Sequence, residues 1–412
     1  MVDVLRLLEL VSALMVTIYA VYYIVHSYVY WYLRLSMRRN IDTNPSREPR
    51  VAIVVPIYND PAALETLPYL YRLRYRNLVI VVVDDSSDES LSQRLVDLAT
   101  RLARENGIQT LYLRRKHRYG YKAGALNTAI SELRRLGVEY VLILDADHIL
   151  TDRTLRVLVA KAMEGYDIVQ GYQRHVMGRK TLIYDLYRAS QGGAIALLRS
   201  RAYLNLFPIF YGSTALIRLD VLEDVSFRPW CIAEDFAFTV DYAVRRCCLR
   251  IAVVEDAYSY ASVPENLRSL VKQQIRWSAG TIRVFLDTFR DVIRSQCLGL
   301  ARKIDYVLQG LFFTQGLWIL MHQFVMGTYL ALGINPSPAS VVLLVLWALG
   351  LESILFTGAL IEGFDRGRTL KTLIVALLLI NFFALIHTYG TILGLVKRKL
   401  RFEATRSCVP VG

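Results

Sequence analysis

The chain has 412 residues, of which 54% are hydrophobic and 21% are charged. This composition excludes a disordered or low-complexity chain, and the positive mean hydropathy argues against an ordinary soluble protein. The net charge of +13 would suggest a nucleic acid or another polyanion if the chain were soluble. Basic clusters beside apolar segments explain the charge better, because positive residues collect on the cytoplasmic side of membrane helices. We therefore predict a membrane protein and no nucleic-acid partner.

The first predicted domain, 1–39, is a transmembrane helix. Residues 10–31 carry no Lys, Arg, Asp or Glu and are long enough to cross a hydrocarbon core of roughly 30 Å. Arg34, Arg38 and Arg39 follow this run, so the positive-inside bias places the remainder of the chain in the cytoplasm. The polar segment 40–49 then marks a boundary.

Residues 50–261 have the pattern of an alternating α/β domain. Short β-branched runs predict strands, and amphipathic stretches predict helices between them. The strands are expected at 51–55, 79–83, 110–113 and 141–144, and the helices at 62–72, 91–105 and 123–136. Nearly continuous apolar strands are typical of a parallel sheet that is covered on both faces. Ligands of such sheets bind beyond the carboxyl ends of the strands.

The C-terminal part is predicted to return to the membrane. Segment 262–305 is basic and amphipathic, which is typical of helices lying at the membrane surface. Segment 306–396 contains two predicted spans, near 307–332 and 340–361, and a third apolar stretch at 372–396. Basic clusters flank that stretch on both sides, so we expect a re-entrant or interfacial element there, with a fourth crossing as the alternative. The five cysteines lack zinc-ligand spacing and are expected to be reduced.

Two acidic motifs follow predicted strands. Asp84-Asp85 comes after the second strand, and Asp145-Ala-Asp147 comes after the fourth. A divalent cation that holds a diphosphate needs hard oxygen ligands of this kind. One such motif alone is more often a solvated turn, but its repetition favours a site. Lys122 could supply a point charge to phosphate, although a lysine on a solvated helix end is the simpler interpretation.

Further candidates lie elsewhere in the chain. Apolar neighbours surround Glu234-Asp235 and would raise the pKa of a carboxylate towards that of a general base, although a helix N-cap is equally compatible. Arg276 suits phosphate and Trp277 suits the apolar face of a sugar, but both residue types also anchor membrane helices. Tyr58 could stack on a nucleobase or belong to the core.

Together, and in this order, these motifs resemble those of the processive family 2 glycosyltransferases, the membrane synthases of cellulose, hyaluronan, chitin and mannan. The matching segments are Val-Pro-x-Tyr-Asn at 55–59, the acidic pair at 84–85, Lys-Ala-Gly-x-Leu-Asn at 122–127, Asp-x-Asp at 145–147, Phe-x-Gly-Ser at 210–213, Glu-Asp at 234–235 and Gln-x-x-Arg-Trp at 273–277. Ala233 replaces the Thr that usually precedes the Glu-Asp pair. Phe402–Arg406, within a tail at 397–412, resembles the family's gating loop.

The resemblance implies an α/β fold of the GT-A type, a Rossmann-like and mostly parallel sheet fused to transmembrane and interfacial helices. It also implies an inverting, metal-dependent hexosyltransferase that uses Mg²⁺ or Mn²⁺. The implied catalytic residues are Asp235 as the base and its neighbour Glu234; the donor-binding residues are Tyr58, Asp60, Asp84, Asp85, Lys122, Asp145, Gln273, Arg276 and Arg406; the acceptor-binding residues are Gly212, Ser213 and Trp277; and the metal ligands are Asp145 and Asp147.

The resemblance favours UDP-glucose as the donor and a growing β-linked polysaccharide as the acceptor. Two alternatives stay open: single-sugar transfer to a lipid acceptor, and a mannan synthase that uses GDP-mannose. A non-catalytic receptor or transporter subunit would be expected to lack Asp235 or the Asp-x-Asp motif, and both are intact. The expected partners are a nucleotide sugar, a polysaccharide or lipid acceptor and membrane lipid, with a homo-oligomer as a further option. We expect a multi-pass protein of the plasma membrane with a cytoplasmic catalytic domain.

Overall fold

The computed structural model describes residues 2–36, 45, 47–176, 181–247 and 249–396. A seven-stranded sheet forms the centre of the α/β part. Its strands are β1 (Val51–Ile57), β2 (Leu78–Asp84), β3 (Gln109–Arg114), β4 (Tyr140–Ile143), β5 (Ile168–His175), β6 (Ala215–Arg218) and β7 (Ile251–Ala261). Their order is β3-β2-β1-β4-β6-β5-β7, and β6 alone runs antiparallel to its neighbours. The predicted mostly parallel GT-A sheet is confirmed.

Fourteen α-helices accompany the described sheet. They are α1 (Val2–Ser36), α2 (Ala63–Leu70), α3 (Glu89–Asn106), α4 (Tyr121–Leu133), α5 (Asp152–Met163), α6 (Leu182–Tyr203), α7 (Leu219–Asp224), α8 (Glu234–Arg246), α9 (Leu267–Arg294), α10 (Leu300–Gly310), α11 (Gln315–Leu332), α12 (Pro338–Ile361), α13 (Arg366–Leu378) and α14 (Ile380–Val396). Each strand and helix predicted between residues 50 and 144 is present.

Both faces of the sheet are covered, as its apolar strands require. Helices α2, α3 and α5 pack on one face, where Leu67, Leu95 and Leu158 are fully or almost fully buried. Helices α4, α7 and α8 pack on the other face, represented by Leu126 and Phe238. In parallel strands the carboxyl ends meet at one edge, so this packing brings the motifs after β1, β2 and β4 together.

Two helices, α1 and α12, are long and apolar enough to cross a membrane. Two bent pairs could add further spans: α10 with the segment Phe312–Leu332, bent by 48°, and α13 with α14, bent by 56°. The second bend lies inside the apolar stretch 372–396. Because a broken span and a re-entrant loop share this geometry, the interpretation of that stretch stays a prediction.

Helix α6 joins the catalytic sheet to the apolar helices, although its sequence carries none of the expected motifs. It packs closely on α12, where a Cβ atom added at Gly358 would lie 1.8 Å from the carbonyl oxygen of Ala189. At the end of α12, the Glu362 carboxylate accepts hydrogen bonds from Tyr172 on β5 and from Arg188 on α6. The two parts of the chain are thus connected by both packing and charge.

The expectation of reduced cysteines is wrong for one pair. Cys247, which ends α8, and Cys297, which follows α9, are joined in a disulfide. The packing of α8 against α9 brings together two cysteines that are 50 residues apart in sequence, so their spacing could not reveal the pair. Cys231 is a free thiol among the described residues.

Candidate active site

A cavity of about 670 Å³ lies at the carboxyl edge of the sheet and continues between the apolar helices. Most of the predicted site residues line it. They are Tyr58, Asp60, Asp85, Lys122, Asp145, Asp147, Gly212, Glu234, Asp235, Gln273, Arg276 and Trp277. The fold therefore gathers residues that are spread over more than half of the sequence. Arg406 and the rest of the tail 397–412 lie outside the described residues.

Lys122 lies at the centre of the charged part of the cavity. Its Nζ donates to Asp145 Oδ1 at 2.5 Å and to the carbonyl oxygen of Gly212 at 2.9 Å, and it lies 3.7 Å from Glu234. Burial alone would lower the pKa of Lys122, but Asp145 and Glu234 outweigh it, so the pKa is raised. Burial likewise opposes the ionisation of Asp145, yet Lys122 and His148 hold its pKa below the usual range. This pair stays ionised and is suited to a charged ligand.

The acidic pair at the end of β2 divides into two different roles. Asp85 lines the cavity, and Arg115 holds it through paired contacts of 2.5 Å from Nε and Nη2. Asp84 is fully buried and accepts hydrogen bonds from the Ser86 backbone and from the Ser92 and Tyr112 hydroxyls. Asp84 therefore ties β2 to α3 and β3, and its contact with the donor stays a prediction.

Asp60 and Asp147 add two carboxylates on the side of the cavity near Asp145. Burial, together with repulsion from Asp147 and Asp145, raises the pKa of Asp60 to about 7. Such a concentration of negative charge favours a cation. Among the described residues, however, no cluster of three or more His, Cys, Asp or Glu has ligand geometry by itself. The donor set fits a Mg²⁺-like ion that takes one or two carboxylates from the protein and its other ligands from a diphosphate and water.

Asp235 has the environment of a general base. It lies in the first turn of α8, and burial raises its pKa to about 7, with help from repulsion by Glu234. Gly212 approaches it with a positive φ of 76°, and a Cβ atom there would lie 3.2 Å from Asp235 Oδ2. Ala233 is the N-cap residue and provides no side-chain hydrogen bond, whereas Asp235 Oδ1 accepts from the Phe236 N–H at 2.8 Å, so this carboxylate also satisfies a backbone donor of the first turn. The glycine leaves room for a small group beside the carboxylate.

Ser213, predicted to bind the acceptor, faces inwards and is fully buried. Its hydroxyl accepts from the backbone N–H of Asp145 at 2.9 Å and lies 3.1 Å from His148 Nδ1. Ser213 precedes β6, which lies directly beside β4, so its side chain meets the loop that follows β4. Ser213 therefore holds in place the loop after β4, which carries Asp145 and Asp147. Its contact with the acceptor stays a prediction.

The Gln-x-x-Arg-Trp motif lies on α9 and faces the cavity. Arg276 is near Glu234, Asp145 and Asp235, and burial lowers its pKa while those carboxylates oppose the change. Trp277 packs against Tyr187, Val263 and Leu270. The arginine therefore faces the charged end of the cavity, whereas the tryptophan forms part of an apolar wall.

Sequence reasoning missed Arg118, although the basic run before Lys122 offered a signal. Its guanidinium carbon lies 3.4 Å from the centroid of the Tyr58 ring and 5.1 Å from that of Tyr121. Trp230 packs edge-on against Tyr121, which supports this aromatic wall. Arg118 thus covers one face of Tyr58, the residue expected to stack on a base.

The far end of the cavity is apolar and lies between the apolar helices. It is lined by Phe312, Ile319, Trp347, Leu351, Ile354 and Phe383, among others. Gln191 and Arg201 of α6 lie along the same cavity. Nothing in the sequence of α6 marked it as part of the site, because its role follows from packing against α1 and α12.

The fold and the site together define a GT-A glycosyltransferase with attached apolar helices. Residues 52–226 match the family described as glycosyl transferase family 2, and residues 140–386 match glycosyl transferase family group 2. The second match covers more than half of the chain. The chain therefore belongs to glycosyl transferase family group 2, which confirms the predicted resemblance and the predicted enzyme class.

Curated relatives include two proteins of Arabidopsis thaliana. "Probable glucomannan 4-beta-mannosyltransferase 10" is 24% identical over 377 residues, covering 88% of this chain and 66% of the relative. "Probable glucomannan 4-beta-mannosyltransferase 11" is also 24% identical and covers 88% of this chain and 81% of the relative. This chain thus spans slightly less than two thirds of the first relative.

A solved structure supports the fold. The mannosyltransferase PcManGT from Pyrobaculum calidifontis, determined in complex with GDP-Man and Mn²⁺, superposes with a TM-score of 0.63. The alignment covers 94% of this chain and 99% of PcManGT at 21% sequence identity. The similarity extends from the catalytic sheet through the apolar helices.

Proposed function

We propose that this protein is an inverting mannosyltransferase that transfers mannose from GDP-mannose to a β-linked mannan-type acceptor. The observation that carries the proposal is the convergence of Lys122, Asp145 and Asp235 on one cavity, with charge at one side and a base at the other. The donor is inferred from the relatives, whose names specify mannosyltransfer and, for PcManGT, GDP-Man. They favour the GDP-mannose alternative over UDP-glucose.

In the proposed reaction, Asp235 removes the proton from an acceptor hydroxyl placed beside Gly212. The resulting oxygen attacks the anomeric carbon from the face opposite the diphosphate. The bond from that carbon to the phosphate oxygen breaks, GDP leaves with the electron pair, and the anomeric configuration inverts. A base with a pKa of about 7 suits this proton transfer at neutral pH.

The leaving diphosphate carries the developing negative charge. Lys122 and Arg276 approach this part of the cavity from α4 and α9 and would neutralise that charge. Asp147 and Asp145 would hold a divalent cation, Mn²⁺ or Mg²⁺, which supplies Lewis-acid stabilisation of the diphosphate when bound. Trp277 would form an apolar wall for the acceptor sugar. These roles match those predicted from the family motifs.

A second candidate function is transfer of one mannose to a lipid-linked acceptor. It is favoured by the apolar end of the cavity, where Ile319, Trp347 and Leu351 offer surface suited to a hydrocarbon chain. In this alternative the chemistry at Asp235 is unchanged. The product differs, because it is a single lipid-linked sugar and not a lengthening chain.

We further propose that the catalytic part faces the cytoplasm of a multi-pass plasma-membrane protein, where nucleotide sugars are made. The apolar helices and the family membership support a membrane location. The predicted gating-loop role of Phe402–Arg406 and a homo-oligomeric assembly remain proposals from the sequence.

The test is a donor panel with the detergent-purified full chain. GDP-mannose, UDP-glucose and UDP-N-acetylglucosamine, each labelled in the sugar, are incubated with Mn²⁺ or Mg²⁺ and membrane extract as the acceptor source. We expect transfer from GDP-mannose alone. Transfer only from a UDP-sugar would overturn the proposed donor.

The same reaction mixture distinguishes the two acceptors. The labelled product is extracted with organic solvent, and the aqueous part is sized and digested with a β-mannanase. A mannanase-sensitive ladder supports the polysaccharide product, and a single solvent-soluble species supports the lipid-linked one. Asp235→Asn serves as the inactive control.

A further inference from the structure

Three side chains form the wall of the donor cavity where Tyr58 was expected to stack on a base: Tyr58, Arg118 and Asp85. The Arg118 guanidinium lies over the Tyr58 ring at 3.4 Å. Stacking engages the face of a guanidinium, whereas its hydrogen bonds leave in its plane. Tyr58 therefore acts as a support that sets the orientation of Arg118.

Asp85 is held on the same wall. Arg115 contacts both of its oxygens, at 2.5 Å each, which fixes the plane of the carboxylate. Arg118 and Asp85 also interact electrostatically across the wall. The Arg118 guanidinium and the Asp85 carboxylate thus line the same wall of the cavity, the first against the Tyr58 ring and the second held by Arg115.

This arrangement matches guanine better than uracil. Guanine has adjacent acceptors, O6 and N7, on one edge, which arginine contacts with two hydrogen bonds. On the neighbouring edge it has adjacent donors, N1–H and the N2 amino group, which suit a carboxylate. Uracil has a single N–H between two carbonyl oxygens, so a carboxylate there meets a carbonyl, and the arginine finds one acceptor only.

We propose that Arg118 is a specificity-determining residue that selects a guanine nucleotide through O6 and N7, while Asp85 accepts from N1–H and the amino group. The inference rests on the proposed function, because it assumes a GDP-sugar donor. It assigns the base preference to a residue outside the family motifs.

The test compares equilibrium binding of GDP, 7-deaza-GDP and UDP to the detergent-purified full chain with Mn²⁺. The 7-deaza compound lacks only the N7 acceptor, so wild-type protein should bind GDP about tenfold more tightly than 7-deaza-GDP. Arg118→Met keeps the unbranched stem but has no donor for O6 or N7. It should weaken GDP binding by about tenfold and bind GDP and 7-deaza-GDP alike.

Lys116→Gln is the matched control, because Lys116 is an exposed cation in the same loop. It should keep the wild-type preference for GDP over 7-deaza-GDP. Equal wild-type affinities for these two ligands, or a preference that survives in Arg118→Met, would overturn the role of Arg118 and leave the donor proposal intact. Tighter wild-type binding of UDP than of GDP would instead overturn the proposed donor. The comparison of GDP, 7-deaza-GDP and UDP binding uses wild-type protein, so it does not depend on whether a variant folds.

Discussion

Replacing Asp235 by Asn tests the chemical step directly. The Asp235 side chain is buried beside Glu234, and its pKa is raised from 3.8 to about 7. Asparagine keeps the size and the oxygen that accepts from the Phe236 N–H at 2.8 Å, but it cannot accept a proton from the acceptor hydroxyl. General-base catalysis contributes about 10²-fold to 10⁴-fold, so we expect transfer to fall by about 10²-fold or more while GDP binding is retained.

The raised pKa also predicts the pH dependence of the wild-type enzyme. A carboxyl group with a pKa of about 7 is about nine-tenths ionised at pH 8 and about one-tenth ionised at pH 6. Since the ionised form is the base, kcat/KM should fall about tenfold between these pH values. A carboxyl group with the ordinary value of 3.8 would leave the rate flat over this range.

The assay measures initial rates of labelled mannose transfer from pH 5.5 to 8.5, with GDP binding measured at each pH. Glu234→Gln is the companion variant: removing the neighbouring negative charge lowers the pKa of Asp235, so the acidic limb should move to lower pH. Asp60 also has a pKa of about 7, but its titration should change the affinity for GDP, whereas titration of Asp235 should change the transfer rate and leave the GDP affinity unchanged. Near-wild-type transfer by Asp235→Asn, or an unaltered acidic limb in its residual activity, would refute the assignment.

Loss of activity in Asp235→Asn should not come from unfolding. In the folded protein this carboxyl group holds its proton up to a pKa of about 7, whereas in the unfolded chain it releases it near 3.8. Its contribution to folding is therefore fully present below the lower value and is lost as the pH rises through the upper one. The variant removes this decline, so at pH 8 its melting temperature should equal or exceed that of the wild type.

Three further predictions concern the metal, the α9 motif and the helix packing. Asp147→Ala should lose Mn²⁺-dependent GDP binding, measured by calorimetry, and EDTA should abolish the transferase activity of the wild type. Wild-type activity that persists in EDTA would contradict a metal site. Arg276→Ala should weaken GDP binding as well as transfer, whereas Trp277→Ala should impair transfer and spare GDP binding; identical binding and kinetic profiles would indicate a common anchoring role. Gly358→Ala places a Cβ atom 1.8 Å from the Ala189 carbonyl oxygen and should cost about 1–3 kcal/mol, seen as a lower melting temperature in detergent. Gly327→Ala, with nothing within 4 Å, is its control and should not lower the melting temperature; equal shifts would contradict the packing argument.

The local patterns of the sequence determined the elements and the chemistry of the site. The alternation of apolar runs predicted the strands and helices between residues 50 and 144, because strand and helix periodicity are local properties. The positions of Asp85 and Asp145 at strand ends placed them at one sheet edge, since parallel strands share an orientation. The motifs then indicated the family.

The tertiary structure decided which of these side chains reach the cavity. Asp84 and Asp85 are adjacent and chemically identical, but successive side chains along an extended chain point in opposite directions. The Asp84 side chain therefore contacts α3, and the Asp85 side chain faces the cavity. The same holds for Gly212 and Ser213. Composition and spacing cannot show which of two neighbouring side chains lines the cavity, because that depends on which helix or strand packs against each of them.

Contacts between residues that are far apart in the chain could not be predicted either, because they too depend on how the helices and strands pack. Arg368 lies in the basic cluster before the apolar stretch 372–396, and it pairs with Asp185 on α6, 183 residues earlier in the chain. Arg118 acquires its place from Tyr58, 60 residues earlier in the chain. Sequence alone therefore determined the apolar helices, the sheet and the family. Only the packing of α6, α9 and α12 around them decided the shape of the cavity, because that shape is set by contacts between elements far apart in the chain.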